Sequence, residues 1–396
     1  MVKESLPLNL FVKVKLKKLH SAKITNIFTE IGSFSTLHGA INLAQNAPDF
    51  PIDPFLKRIA KDSTEMDFNE FSSTPALPLL VENLIQFNTK RRIPLHISED
   101  EISIIPGATY GLHIVLQTAV NEGDEVIIIE PCYDTYLPLV EMRKAKPVFV
   151  RITENFEIDW QLLADVISPK TKAIIVNSPH NPTGKIWTKE DWETLWQIIK
   201  DHQILVISDE VYDVLVYDDV PFYSAYHHPE LKNRCFCLFS MEKMFHLSGW
   251  KCSYVLASVT LTNSFQAAHQ YICFTTNFYT QYTFGKYLEI FDIEENRLLF
   301  ENKRDLLLKL MADLPFTISE KACSGYAQTF DFKNINSKIS DGDFALQLIE
   351  KAKVATIPYS AFYHDGRNSG KLRISFAKRD ETLEEAVGNL RGFFSI

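Results

Sequence analysis

Glycine is scarce in this chain, 14 of 396 residues, about half the share of roughly 7% usual in soluble proteins. Collagen-like and glycine-rich low-complexity architectures are therefore excluded. Cysteine is sparse as well: there are six, at 132, 235, 237, 252, 273 and 323, and no two are spaced CxxC. That leaves no dense disulfide framework, and a reduced, cytosolic setting is the simplest reading. No apolar run approaches the roughly 18 residues needed to span a bilayer. Basic residues are outnumbered, 41 against 50 acidic, for a net charge of −9. A nucleic-acid partner would need a basic face instead. The N-terminus carries Lys13, Lys15, Lys17 and Lys18 with no apolar h-region after them, so no secretory signal is read. A mitochondrial presequence stays open, although that stretch has no arginine.

What is present is ordinary globular material, 46% hydrophobic and 23% charged, with length for two or three domains. Short β-rich runs recur at 101–105, 126–130, 147–151, 173–177, 204–208, 235–239 and 253–257, with helical patterns between several of them, as at 110–120 and 189–202. The unbroken apolar run Ile204-Leu-Val-Ile suits a strand buried on both faces of a mainly parallel sheet. The alternation predicts an α/β fold with a large doubly wound domain. Before it, residues 25–38 read as a helix, and Pro48, Pro51 and Pro54 as an extended crossing segment. After about residue 290 the rhythm changes to a long charged helix over 294–312, short strands near 317–318, 327–332 and 372–376, and a final helix from Glu381. This predicts a small α+β domain completed by N-terminal residues. The expected divisions are 1–50 (arm and part of the small domain), 51–290 (large domain) and 291–396 (small domain). Residues 1–20 read as an edge strand or a loose arm.

Five clusters carry chemistry. Asn177-Ser-Pro-His-Asn-Pro-Thr-Gly184 follows a predicted strand, where ligands bind in open α/β sheets; the alternative is a loop built only for turning. Ser208-Asp-Glu-Val-Tyr212 also ends a strand. A helical turn there would put Asp209 and Tyr212 on one face, the plain alternative being a helix cap by Asp209. Ser240-Met-Glu-Lys-Met-Phe-His-Leu-Ser-Gly-Trp-Lys251 offers a lysine that, once desolvated, attacks carbonyls; most single lysines are merely solvated. Its Ser-x-x-Lys pattern also occurs in serine acyl-transfer enzymes, but their Ser-Asp-Asn and Lys-Thr-Gly elements are missing. Pro106-Gly-Ala-Thr-Tyr110 opens a helix, and backbone N–H groups there suit a phosphate. Leu372-Arg373-Ile-Ser-Phe376 sets an arginine in an apolar strand, costly unless paired. A clamp on a substrate carboxylate or a salt bridge within the protein would each explain it. Cys235 and Cys237 read as core thiols, His227-His228 as a surface turn, and no metal-binding spacing is present.

Taken together and in this order, the clusters resemble the aminotransferases of fold type I that use pyridoxal 5′-phosphate. The branch holding the methionine and kynurenine/glutamine aminotransferases is the most similar. Further support comes from Ile41-Asn-Leu-Ala-Gln-Asn-Ala-Pro-Asp-Phe50, Gly123-Asp-Glu-Val, Glu130-Pro-Cys-Tyr-Asp-Thr-Tyr136, His269-Gln-Tyr and Ile357-Pro-Tyr-Ser-Ala-Phe-Tyr363. The resemblance implies that Lys243 holds the cofactor and then serves as general base and acid. It implies that Asp209 keeps the pyridine nitrogen protonated, that Tyr212 and Asn181 bond the ring oxygen, and that Tyr133 stacks on the ring. Ala108 and Thr109 (backbone), Ser240 and Lys251 would hold the phosphate. Arg373 would clamp the substrate carboxylate beside Asn181 and Asn46, and Phe274 would line the side-chain pocket, from the partner subunit of a homodimer. Small amino acids and 2-oxo acids, a cytoplasmic setting and no membrane or nucleic-acid partner complete the expectation. A carbon–sulfur β-lyase, and a protein of this fold that binds without turnover, are the competing readings.

Several positions depart from the pattern the resemblance leads one to expect. Asn46 and Ala76 stand where glycine is usual, Phe71 where a tyrosine reaches the partner's phosphate, and Glu242 where the usual Ser-x-Gly-Lys has glycine before the reactive lysine. A carboxylate at 242 would raise the lysine pKa and, if it points inward, repel a phosphate. Lys243, Asp209, Asn181, Tyr212 and Arg373 are all in place, which favours an active enzyme.

Overall fold

The computed structural model describes residues 26–68 and 75–395. The lysine-rich N-terminal arm and Phe71 lie outside them. In chain order the strands are β1 (Ile41–Asn42), β2 (Ile102–Ile105), β3 (Glu125–Glu130), β4 (Lys146–Arg151), β5 (Thr171–Asn177), β6 (Leu205–Asp209), β7 (Cys235–Ser240), β8 (Ser253–Ala257), β9 (Ala327–Asp331), β10 (Val354–Ala355), β11 (Ile357–Pro358) and β12 (Lys371–Ser375).

Seven of them form one sheet in the order β2-β8-β7-β6-β5-β3-β4. The five strands from β7 to β4 pair in parallel. β8 runs antiparallel to both of its neighbours. The central strands read Thr-Lys-Ala-Ile-Ile-Val-Asn, Leu-Val-Ile-Ser-Asp and Cys-Phe-Cys-Leu-Phe-Ser, nearly continuous apolar runs. Such runs need cover on both faces, and two separate apolar clusters supply it, one containing Ile174, Val206 and Cys237, the other Ile175, Ile207 and Leu238. The neighbouring crossover helices are fixed at their starts by local chemistry. Thr188 and Asp191 exchange side-chain and backbone bonds at the start of the helix Lys189–Ile199, whose Trp192, Leu195 and Ile199 are buried. In-register pairing of Asn177 with Asp209, and of Asp209 with Leu238, aligns the carboxyl ends of β5, β6 and β7 along one rim.

Beyond residue 290 a second sheet forms, β11-β12-β9, all antiparallel. β1 pairs in parallel with β10, so N-terminal residues do join the C-terminal part of the chain. Three local expectations are corrected. Thr317–Ile318 forms only a single bridge, Thr317 to Asp331, because Asp331 is the last residue of β9 and offers no further ladder. Pro54 opens the helix Pro54–Ser63 at its first turn, capped by Asp53, where its missing N–H costs nothing. His228 is buried at 9% exposure, its Nδ1 accepting the N–H groups of Glu230 and Leu231, so it is not a surface turn. No helix among the described residues is long and apolar enough to cross a membrane, and none of their His, Cys, Asp and Glu clusters could hold a metal ion.

Candidate active site

The site grows from the rim where β5, β6 and β7 end. Asp209 is the last residue of β6. Its Oδ2 accepts a hydrogen bond from Tyr136 Oη at 2.6 Å, and its Oδ1 accepts from Val211 N at 3.4 Å. Burial pushes this carboxyl above the usual range, while the Tyr136 bond, the Val211 N–H and the charge of Lys243 pull it back. The chain then turns over 211–214 without forming a helix, so Asp209 caps none.

β5 contributes Asn177, and through it the loop that follows. Asn177 Nδ2 donates to Asp209 O at 2.8 Å, and its Oδ1 accepts from Asn181 N at 2.8 Å. Asn181 Oδ1 in turn accepts from Arg373 Nη1 at 2.8 Å. These bonds therefore tie the main chain at the end of β6 to the guanidinium on β12. Arg373 is 1% exposed. Its Nη2 donates to Ala44 O at 2.7 Å, and Phe28 and Phe362 hold the guanidinium at 5.3 and 5.1 Å from their ring centres. Desolvation lowers its pKa to about 10, which still leaves it charged near neutrality. Its Nε is buried and lacks a hydrogen-bond partner among the described residues.

Lys243 sits in the short helix Met241–Met244 directly after β7. Its Nζ lies 3.5 Å from Ser248 Oγ and 6.0 Å from the ring centres of both Tyr212 and Tyr326. Tyr326 Oη also donates to the Lys243 carbonyl. Asn46 Nδ2 donates to Tyr212 Oη at 3.4 Å, leaving Asn46 Oδ1 buried without a partner among the described residues. Tyr133 is half-buried, edge-on to Tyr136 at 5.9 Å. Its loop is tied down by His180, whose Nε2 lies 2.9 Å from Pro131 O and whose Nδ1 lies 2.7 Å from Thr183 Oγ1.

At the other end, Gly107 (φ +96°) turns the chain into the helix Ala108–Ala119, so that the first-turn N–H groups, those of Ala108 and Thr109 among them, have no partner within the helix. Ser240, Lys251 and Ser253 stand beside it. Ser240 Oγ accepts from Lys243 N at 3.3 Å and from Ser253 Oγ at 3.4 Å. Glu242 points into this cup. It is 4% exposed, with Oε2 3.2 Å from Lys251 Nζ and Oε1 3.4 Å from Ser253 Oγ. A methyl on Gly107 would stand 3.0 Å from Glu242 Oε1. The loop carrying Phe274 (φ +63°) adjoins the same place, because Thr276 Oγ1 donates to Lys251 O at 3.1 Å.

Of the residues expected from sequence, Asp209, Asn181, Tyr212, Lys243, Arg373 and Asn46 are joined by the contacts above. Ala108, Thr109, Ser240 and Lys251 form the neighbouring cup. Three further residues hold the site, Tyr136, Asn177 and Tyr326, and the sequence does not single out any of them by itself. The first two lay inside stretches already singled out, Glu130–Tyr136 and Asn177–Gly184; Tyr326 follows Gly325 with no distinguishing pattern.

A lysine amine beside a buried acid and across from a buried, incompletely paired arginine suits a carbonyl cofactor with a basic ring nitrogen and an anionic substrate. The ring end fits pyridoxal 5′-phosphate: Asp209 with its Tyr136 donor faces a cationic nitrogen well, and the orphaned Arg373 Nε and Asn46 Oδ1 await polar partners. At the phosphate end the donors are in place, with the Glu242 carboxylate already among them. Fold and site together define a pyridoxal 5′-phosphate-dependent aminotransferase of fold type I.

The chain belongs to aminotransferase class I and II, whose family model matches residues 38–390. It is 31% identical over 373 residues to the methionine aminotransferase of Escherichia coli, covering 93% of this chain and 95% of that one. A solved E. coli structure, reported to identify a methionine aminotransferase function, superposes with a TM-score of 0.87 at 30% identity, over 95% of this chain and 100% of that one. A Saccharomyces cerevisiae structure, described as a candidate kynurenine aminotransferase, gives 0.85 at 26% identity, over 93% and 96%.

Proposed function

We propose that this aminotransferase takes the amino group of methionine, an aromatic amino acid or a glutamine-like donor and passes it to a 2-oxo acid in ping-pong fashion. The observation that carries the reading is the set of bonds Arg373–Asn181–Asn177–Asp209 O, which fixes a carboxylate clamp against the strand end that carries a buried acid near a lysine amine. Bound pyridoxal 5′-phosphate supplies an electrophilic carbon and an electron-withdrawing ring. Arg373 binds the donor's α-carboxylate through its unpaired Nε, held in place by Asn181 and the two phenyl rings. Lys243 Nζ takes the proton from the donor's α-carbon and returns it one position away. Asp209 faces a cationic nitrogen; burial raises its pKa, and the bond from Tyr136 works against that rise by favouring the ionised form. Tyr133 covers one face of the ring, Tyr212 and Asn181 bond its oxygen, and Ser240, Lys251 and the N–H groups of Ala108 and Thr109 hold the phosphate. Asn46 bonds Tyr212 and borders the donor carboxylate.

Phe274 lines the donor's side-chain pocket across a homodimer interface. The exposed Tyr271 (86%) and Ile272 (55%), just before it, support such a contact. Separate sheets on either side of about residue 290 support domains at 51–290 and 291–396, with 1–50 completing the second. The acidic balance and the lack of a disulfide framework support a cytoplasmic setting. The test is the visible spectrum of the purified protein with cofactor, before and after L-methionine, L-phenylalanine or L-glutamine. The lysine-bound band is expected to convert to the amine form with release of a 2-oxo acid, and Lys243→Ala to abolish both. Turnover in that variant would overturn the mechanism.

A further inference from the structure

Glu242 is a carboxylate set where the donors for an anion converge. It lies in the first turn of the helix Met241–Met244, with Ser240 as the cap, and its side chain turns inward among Gly107, Ser253 and Lys251. Those are donors a phosphate would use: a cation, a hydroxyl and a helix start. The bonds from Lys251 and Ser253 that stabilise the carboxylate there are ones an incoming dianion needs. The charged and titratable groups facing it are Lys251, Lys243 and the buried Cys252 thiol, whose pKa burial pushes well up. Among these groups it meets no second carboxylate.

We propose that Glu242 is a built-in anion that fills the phosphate cup of the cofactor-free protein and competes with the cofactor's phosphate for it. The proposal rests on the reading of this cup as the phosphate site. Two consequences separate it from a merely structural role. The protein favours pyridoxal 5′-phosphate over unphosphorylated pyridoxal much less than a cup with a small residue at 242 would. Phosphate binding also improves as the carboxylate is neutralised, and burial lets it take up its proton at a higher pH than an ordinary glutamate.

The experiment measures the dissociation constants of pyridoxal 5′-phosphate and of pyridoxal for the full-length cofactor-free protein, Glu242→Gln and Glu242→Gly, by absorbance and by tryptophan quenching, across pH 5.5–8.5. Expected is a gain of about tenfold or more for pyridoxal 5′-phosphate in both variants at pH 8, with pyridoxal changed less than about twofold. The ratio of wild-type to Glu242→Gln constants should shrink toward one as the pH falls. The ratio removes the titration of the phosphate itself, which both proteins share. The melting temperature of cofactor-free Glu242→Gly should drop with loss of the Lys251 pair, while its rise on adding cofactor should exceed that of the wild type. Glu242→Gln keeps the side-chain volume and so remains informative if the glycine variant folds poorly. Equal or weaker binding of pyridoxal 5′-phosphate by both variants overturns the proposal alone. Binding of neither compound by any of the three proteins overturns it together with the cofactor reading.

Discussion

The two ends of the site each hold a buried carboxylate, and the two are built to opposite effect. Asp209 at the ring end is reached by Tyr136 at 2.6 Å, and its main chain is braced by Asn177 from the next strand. Glu242 at the phosphate end takes its partners, Lys251 at 3.2 Å and Ser253 at 3.4 Å, from groups a ligand would otherwise use. Burial raises both pKa values. The difference lies in what each acid faces: Asp209 complements a cation, whereas Glu242 occupies an anion's place. A buried acid is thus informative about function only once its neighbours are known.

The largest expected effect comes from breaking the ring end. Asp209→Asn keeps the shape but cannot carry a charge. It should lower kcat by about 10² to 10³, the range lost with one preorganised electrostatic partner, with the fold retained by circular dichroism. A loss under tenfold would mean that Asp209 is not the ring's partner. Arg373→Lys keeps one charge but not the fork held by Asn181 and Ala44. It should raise KM for the amino donor about tenfold to a hundredfold, in line with roughly 1.5–3 kcal/mol for a charged hydrogen bond. An unchanged KM would remove Arg373 from the substrate site.

Tyr136→Phe sharpens the comparison more finely. The lost bond favours the ionised form of Asp209, so its removal should move that carboxyl further up. The sign is fixed by the chemistry: a donor to a carboxylate lowers its pKa, and deleting it raises it. Activity should fall about tenfold at pH 6.5 and by less at pH 8, where the carboxyl ionises even without the bond, read from pH–rate profiles of the two proteins. A uniform fall at all pH values would make Tyr136 a packing residue.

Much of this was legible in the sequence, for a physical reason. Strand ends in a parallel sheet are marked by apolar runs that stop at a polar residue, and Asn177, Asp209 and Ser240 all do so. The residues that close the site from a distance were not legible. Tyr136 reaches Asp209 across 73 positions, and Tyr326 reaches the Lys243 carbonyl across 83. Nothing local distinguishes such a tyrosine from one in a core. Thr317–Ile318 has strand-like composition, but pairing depends on where β9 stops, which is settled by the partner strand. The inward turn of Glu242 depends equally on tertiary context: it was readable as a departure, but its direction came only from Gly107 and Ser253, brought alongside by the sheet.

The smallest expected effect concerns stability and a third buried acid, Glu210, next to Asp209. Its Oε1 accepts from Ser208 Oγ at 2.7 Å and from Ala225 N at 3.0 Å, while Oε2 has no partner among the described residues. Burial raises its pKa to about 7 from the ordinary 4.5. An acid whose folded pKa lies above its unfolded value binds its proton more tightly when folded. Its stabilising contribution is therefore full below about pH 4.5 and is lost as the pH rises through about 7. The shift corresponds to about 3 kcal/mol. Glu210→Gln should remove this slope: urea midpoints of the cofactor-free variant should change less between pH 5 and pH 8 than those of the wild type, with the two proteins closest at pH 5. Parallel curves for the two proteins would mean that Glu210 stays ionised in the fold. The raised pKa values would then be confined to Asp209, Glu242 and the other buried acids, and the contrast between the two ends of the site would stand without this neighbour.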